Sequence, residues 1–322
     1  MSKTNFTREN VCFHSQDTQC HAWLYQPVQA IEPRGPCVVM AHGLGGTRAG
    51  GLEPFAERFA EVGLRVLVFD YRHFGDSDGQ PRQLLTISRQ QADWRAAIAY
   101  VRSLRSVDSG RIALWGTSLS AGHVTSIAAK DARIAAVVAQ NPMLDGLASV
   151  FMLLRNAGPW QLLKLSTLGL LDLLRSASGR PPLLIPVVAR EGELAAMSTA
   201  GAYAGVMVTA PAGWRNEMSA RFALTLGLYR PVSVANKIQC PILIQACMQD
   251  SVACPKAAMA AAKLAPAAEI RRYEKLDHFD IYQGGALETA ITDQVEFLQR
   301  VLRLGKSVPA ASTQPRRISA AS

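Results

Sequence analysis

The 322-residue sequence is poor in charge, with only 18% Asp, Glu, Lys and Arg, and it lacks long apolar runs. No stretch approaches the roughly 18 unbroken apolar residues of a membrane span. The richest ones, Trp160–Leu174 and Pro181–Val188, are short or interrupted by Lys164, Asp172, Arg175 and prolines. The first ten residues, MSKTNFTREN, have neither an apolar core nor a small-residue cleavage site, so no secretory signal is read and a soluble cytoplasmic protein is expected. The six cysteines fall into two loose groups, Cys12, Cys20 and Cys37, then Cys240, Cys247 and Cys254. None forms a C-x-x-C pair, and they are too sparse for a disulfide scaffold, which leaves reduced thiols. HExxH, paired-carboxylate and EF-hand patterns are missing, so no metal is expected. G-x-G-x-x-G and a P-loop lysine are missing too, which argues against a nucleotide, and no cofactor of any kind is expected. There is no internal repeat.

What is present is apolar: 49% of the residues are hydrophobic, enough for a sizeable core. The length fits two domains or one large α/β unit with an insertion. The 34 basic and 25 acidic residues give a formal +9, which suggests a nucleic-acid partner until its distribution is considered. Eight basic and four acidic residues lie between Phe151 and Ala235, and Lys306, Arg316 and Arg317 sit in a tail without acids. No block of five like charges and no basic face interleaved with aromatics occurs. The charge reads as a solvated surface, with no nucleic-acid partner expected.

Apolar, β-branched runs alternate with helix-like stretches, as in βα units around a mostly parallel sheet. Asn10–Ser15 and Cys20–Tyr25 predict a hairpin. Cys37–Ala41, Leu64–Phe69, Arg111–Trp115, Ile134–Ala139, Pro241–Ala246 and Glu269–Tyr273 predict buried strands. Helical spacing marks Leu52–Val62, Ile87–Leu104, Leu119–Lys130 and about Leu287 to Leu302. The interval between Met143 and Lys237 breaks the alternation, being Leu-rich and mostly helical in pattern, and reads as an insertion. The tail after Gly305 has nothing to bury and is expected to be disordered.

The sharpest chemical signal is Gly116-Thr117-Ser118-Leu119-Ser120-Ala121-Gly122, between a strand and a helix. A serine at such a turn is forced outward, and the strained backbone needs small neighbours. The pattern is G-x-S-x-G with serine in place of the second glycine, a departure that is also compatible with a simple helix cap. A second signal, His42-Gly43-Leu44-Gly45-Gly46, follows the Cys37–Ala41 strand. Acyl transfer needs two backbone N–H groups aimed at the developing oxyanion. Leu119, after the serine, and Leu44 in this loop are the candidates.

The order of HGLGG, then FDYRHFGDSDG at Phe69–Gly79, then GTSLSAG resembles the α/β-hydrolase superfamily, and more narrowly its esterase and X-Pro dipeptidyl-peptidase-like branch. The resemblance covers nearly the whole chain outside Met143–Lys237. It implies an α/β fold with a mostly parallel eight-stranded sheet, helices on both faces and a helical lid. The expected division is a hydrolase core of residues 1–142 and 238–304, a lid of 143–237 and a tail of 305–322. It also implies the chain order nucleophile, acid, histidine.

The remaining sequence offers residues for that order. Asp250 lies in the loop after the Pro241–Ala246 strand, and His278 follows the last strand. A histidine can take the serine proton and return it to a leaving group, while a carboxylate fixes its tautomer. Of the other histidines, His14 and His21 sit in the hairpin, His42 belongs to the glycine loop, His73 stands where many relatives carry glycine, and His123 lies on the helix after Ser118. Asp145, after the Ile134–Ala139 strand, is the competing acid, and Asp277 and Asp280 flank His278. Asp70, Asp76 and Asp78 read as turn-formers, with Arg72 as their ion-pair partner.

The expected catalytic set is therefore Ser118, Asp250 and His278, with Leu44 and Leu119 as the oxyanion hole, acting on carboxylic esters through an acyl-enzyme. The apolar lid suggests a small to medium apolar ester as the small-molecule partner. No stable membrane insertion is expected, and a homodimer is allowed. Peptidase, thioesterase and C–C bond hydrolase chemistry fit the same three residues. A non-catalytic ligand-binding protein on this scaffold is the alternative of a different class.

Overall fold

The structure is a computed structural model that describes residues 5–28 and 32–304. The chain opens with an antiparallel hairpin, β1 (Phe6–Ser15) and β2 (Thr18–Pro27), whose two-residue turn holds Gln16 at φ 58°. Two strands buried at every position follow, β3 (Gly35–Ala41) and β4 (Arg65–Phe69), separated by α1 (Glu53–Glu61). Continuous apolar runs of this kind suit a strand covered on both faces. Next come α2 (Ile87–Ser103), β5 (Val107–Thr117), α3 (Leu119–Ala128) and β6 (Ala136–Gln140). All ten residues of α3 are buried.

Between β6 and the next sheet strand run α4 (Gly146–Ala177), β7 (Leu184–Ile185), α5 (Ala202–Thr209), β8 (Met218–Ser219) and α6 (Phe222–Leu226), with β7 and β8 paired in a small ribbon. The stretch is less helical than its pattern suggests, because the prolines at 181, 182 and 186 keep the chain after α4 irregular. α4 itself is broken at Gly158 (φ 79°, ψ 170°), ahead of Pro159. Its second half is inside out: Gln161, Leu165, Gly169 and Asp172 are buried, whereas Trp160, Leu163, Leu170, Leu171 and Leu174 face outward. The chain closes with β9 (Ile242–Cys247), α7 (Pro255–Leu264), β10 (Ala268–Tyr273) and α8 (Gly284–Val301).

The main sheet has eight strands in the order β1-β2-β4-β3-β5-β6-β9-β10, parallel from β4 onward. One face packs on α2, α3 and α7 through Trp94, Val124 and Ala258. The other packs on α1 and α8 through Phe55, Phe59, Ile291 and Phe297. Leu165, Ile185, Met218 and Phe222 join the first of these cores, so the long connection shares apolar packing with the sheet. Among the described residues no helix is long and apolar enough to cross a membrane. The tail expected after Gly305 lies outside the described residues.

Chain direction across the sheet reverses around β3, which has β4 on one side and β5 on the other. Open α/β sheets bind ligands beyond the carboxyl ends of strands at such a point. Here Ala41, Gly116 and Ala139 are aligned in the sheet register. The residues that follow them, around His42, Ser118 and Asn141, therefore emerge side by side.

Candidate active site

β5 runs into α3 through a single residue, Ser118, with φ 55° and ψ −120°. A non-glycine residue held there costs about 1–3 kcal/mol and persists only when its surroundings fix it. The Ser118 N–H donates to Gln140 O (2.9 Å), and its carbonyl accepts from Met143 N (3.0 Å). A side chain on Gly116 would come within 2.5 Å of the Ser120 carbonyl group, so that position admits only glycine. The serine that replaces the second glycine has a structural reason. Ser120 is fully buried, its hydroxyl is 2.9 Å from the Tyr71 hydroxyl, and the latter accepts from Trp94 Nε1 at 2.7 Å. Leu119 opens α3, so its N–H has no acceptor within the helix and lies at the positive end of the helix dipole.

Asp250 and His278 meet this serine from the far side. Asp250 Oδ1 accepts from the amides of Val252 (2.8 Å) and Ala253 (2.6 Å), which aims Oδ2 at His278 Nδ1, 2.6 Å away. His278 Nε2 is 3.1 Å from Ser118 Oγ. A carboxylate can only accept, so the proton belongs on Nδ1 and the lone pair of Nε2 faces the hydroxyl. The three side chains are buried, with residue exposures of 8% for Ser118, 6% for Asp250 and 2% for His278. The His278 backbone is fixed by Asn141 Nδ2, which donates to its carbonyl (2.7 Å), and by Asp277 Oδ1, which accepts its N–H (2.7 Å). Such a line of groups can draw a proton off a hydroxyl as it attacks a carbonyl and hand it on to a departing atom.

The glycine loop closes the front. A side chain on Gly43 would come within 2.9 Å of Ser118 Cβ, which shows how tightly the loop passes the serine. His42 Nδ1 donates to Gly43 O (2.9 Å), and burial pushes its pKa down to about 4, so it is a neutral brace. Trp214 Nε1 holds Gly45 O at 2.8 Å. The loop's end is pinned where Asp70 accepts from Arg48 N (2.6 Å) and Arg48 Nη1 (3.0 Å), and Arg48 Nη2 reaches Asp76 at 2.6 Å. This corrects the assignment of Arg72 to those aspartates. Arg72 runs instead to the fully buried Asp93 of α2 (2.7 Å) and to Ser15 of the hairpin, leaving Asp70 to Arg48.

The competing residues are occupied elsewhere. Asp145 caps α4 through Leu147 N (3.0 Å) and Ala148 N (3.3 Å) and pairs with Arg230 at 2.9 Å. His123 donates from Nε2 to Gln90 Oε1 (2.9 Å) and accepts at Nδ1 from the Tyr229 hydroxyl (2.9 Å), and burial pushes its pKa down to about 3. His73 takes a left-handed conformation that favours glycine (φ 71°), with Nε2 3.0 Å from Arg89 Nη1. Burial pushes the Cys247 thiol up to about 12, which makes it a poor nucleophile. Among the described residues no three His, Cys, Asp or Glu side chains are grouped to hold a metal ion.

Sequence reasoning missed a buried amide network behind the serine. Gln294 of α8 donates to Gln140 Oε1 (2.8 Å) and Gln245 Oε1 (2.5 Å) and accepts from Trp115 Nε1 (2.9 Å). Gln140 in turn donates to Thr117 Oγ1 (3.4 Å). Glutamines inside buried strands stand out only once the strands are known to be covered on both faces.

Two clefts open at Ser118. One, of about 620 Å³ with its mouth included, is lined by His42, Thr47, Thr209, Trp214, His278 and Phe279 among others. The second, of about 680 Å³ with its mouth likewise included, is lined by Leu119, Met143, Met152, Leu153, Phe222 and Val252 among others. Leu44 borders both.

A family model described as serine aminopeptidase, S33, a hydrolase family, matches residues 32–279. The chain belongs to this family of α/β-hydrolases. It is 44% identical over 295 residues to the quorum-quenching protein AidA of Acinetobacter baumannii, covering 91% of this chain and 95% of that protein. Over 186 residues it is 31% identical to a thiohydrolase of Eupenicillium brefeldianum, covering 58% and 56% of the two chains. Among solved structures, the α/β-hydrolase GrgF from a Penicillium species superposes with a TM-score of 0.77 at 22% identity, over 92% of this chain and all of that one. The α/β-hydrolase fold is common to them.

Proposed function

We propose that this α/β-hydrolase is a serine hydrolase of carboxylic esters. Ser118 Oγ attacks the ester carbonyl while His278 Nε2 takes its proton, and Asp250 orients and stabilises the imidazolium. The Leu44 and Leu119 amides hold the oxyanion. The intermediate collapses as the imidazolium protonates the leaving alkoxide, and the alcohol departs. Water, deprotonated by the same nitrogen, then attacks the acyl-enzyme, the acid leaves, and Ser118 regains its proton. Residues 143–237 serve as the lid, since Met152, Met197 and Trp214 border the two clefts.

The observation that carries this reading is the hydrogen-bonded line from Asp250 through His278 to Ser118, with the serine held at positive φ. A bare helix cap needs neither the strain nor the imidazole, and a binding protein needs no aligned lone pair. Ser118→Ala is expected to abolish p-nitrophenyl ester turnover and fluorophosphonate labelling with the fold intact; retained turnover refutes the assignment. Thioesters are the second reading, favoured by the likeness to the Eupenicillium thiohydrolase. Ester and thioester series of matched acyl length, run beside aminoacyl-p-nitroanilides, separate these activities.

A further inference from the structure

The two clefts at Ser118 differ in one respect that bears on direction. His278 lines the first and is absent from the lining of the second, while Leu119 lines the second and is absent from that of the first. In acyl transfer the group that departs must lie where the imidazolium can protonate it, and the acyl remainder then points away from the histidine. The clefts also differ in chemistry. On the second wall the hydroxyls are largely engaged with protein: Ser149 donates to Asp145 O (3.3 Å), Thr199 meets Ser251 (3.0 Å), and Ser251 also bonds Asp277 (3.0 Å). Ser198 is the one hydroxyl there without a partner among the described residues. The rest is Leu, Met, Phe, Val and Ala, a surface that gains from covering hydrocarbon and offers little to a polar group. The first cleft likewise has one hydroxyl without a partner among the described residues, that of Thr47, and differs in adding His42 Nε2, also without one, and the glycine backbone of residues 43, 46 and 50.

We propose that the Met143, Met152, Leu153 and Phe222 cleft holds an apolar acyl chain of medium length, and that the His42, Thr209 and Trp214 cleft holds the leaving group. This rests on the hydrolase reading above and gives it a direction: Met152 and Leu153 of α4 limit acyl length, whereas the stretch from Val206 to Trp214 selects the alcohol or thiol.

Two substrate series test it on the full-length protein: p-nitrophenyl esters from acetyl to decanoyl, and acetate esters of alcohols of increasing size. Met152→Trp is expected to lower kcat/KM for decanoyl relative to acetyl esters at least tenfold and to leave the ranking of the alcohols unchanged. Ala210→Trp, on the other wall, is expected to do the reverse. Met152→Phe, a smaller intrusion less prone to disturb folding, should move the acyl cut-off the same way by less. Fluorophosphonate labelling of Ser118 reports on each variant's integrity. If the effects cross over, or if folded variants change neither series, the allocation is overturned although the hydrolase reading stands. If wild-type Ser118 takes no label and turns over no ester, the hydrolase reading itself falls.

Discussion

The Ser120 hydroxyl lies 2.9 Å from that of Tyr71, both side chains fully buried directly beneath the turn that carries Ser118. Tyr71 accepts from Trp94 Nε1, so its own proton is free to go to Ser120 Oγ. The serine that breaks the glycine pattern thus ties the turn at Ser118 to the loop after β4 and to α2.

Ser120→Ala is expected to cost about 1–3 kcal/mol by stranding the Tyr71 hydroxyl, while leaving Ser118 open to a fluorophosphonate. Urea unfolding with labelling in parallel checks both parts. Gly116→Ala should behave differently, losing label together with stability, because its methyl group meets the Ser120 carbonyl.

The two candidate carboxylates are separable. Asp250→Asn removes the acceptor that fixes the His278 tautomer and is expected to lower ester turnover on the order of 10⁴-fold. Asp145→Ala removes a helix cap and an ion pair and is expected to cost about 1 kcal/mol with turnover within a few-fold of wild type. Initial rates for the two variants decide; equal losses of activity contradict the assignment.

Acid should weaken the fold through its buried imidazoles. His42 and His123 are pushed down to about 4 and about 3 by burial, whereas an unfolded histidine titrates near 6.5. Below about pH 6.5 the unfolded chain therefore takes up protons that the folded chain refuses, and these groups withdraw stability as pH falls toward 4. Each contributes up to about 1.4 kcal/mol per pH unit in that window. Urea midpoints at pH 7.5, 6 and 5 for wild type and His123→Leu provide the check, with the variant expected to show the shallower dependence.

Asp172 anchors the second half of α4, accepting from Leu183 N (2.8 Å), Arg221 N (2.9 Å) and the Arg221 guanidinium (2.7 Å). Asp172→Ala leaves those donors unpaired at about 3–5 kcal/mol. Limited proteolysis should then cut within residues 178–201 at protease levels that spare the wild type.

Much of this was legible in the sequence because strand runs and turn signals are local. The apolar runs mark the strands of the main sheet to within a few residues, and β5 is longer than its run because polar Asp108–Arg111 extends a strand whose continuous apolar part begins at Ile112. Ser118, Asp250 and His278 each follow a strand end, and the sheet register brings such ends together. Nothing in the sequence marks Arg48, since its bond to Asp70 spans 22 residues and depends on how two loops lean together. Distance along the chain points to Arg72, two residues from Asp70, but a deeper carboxylate, Asp93, claims it. Asn141 follows the same logic, being marked only by the backbone of His278 that it holds.

Hydrophobic transfer alone would seat the second half of α4 the other way round, with Leu170, Leu171 and Leu174 inside. One carboxylate and its arginine hold it as observed, so local preference and final position disagree across that helix. Minimally frustrated chains avoid such conflict except where it is put to use. The second half of α4 thus owes its seat to the bonds of Asp172 rather than to its leucines, so its position depends on a charge in a way that the rest of the apolar core does not.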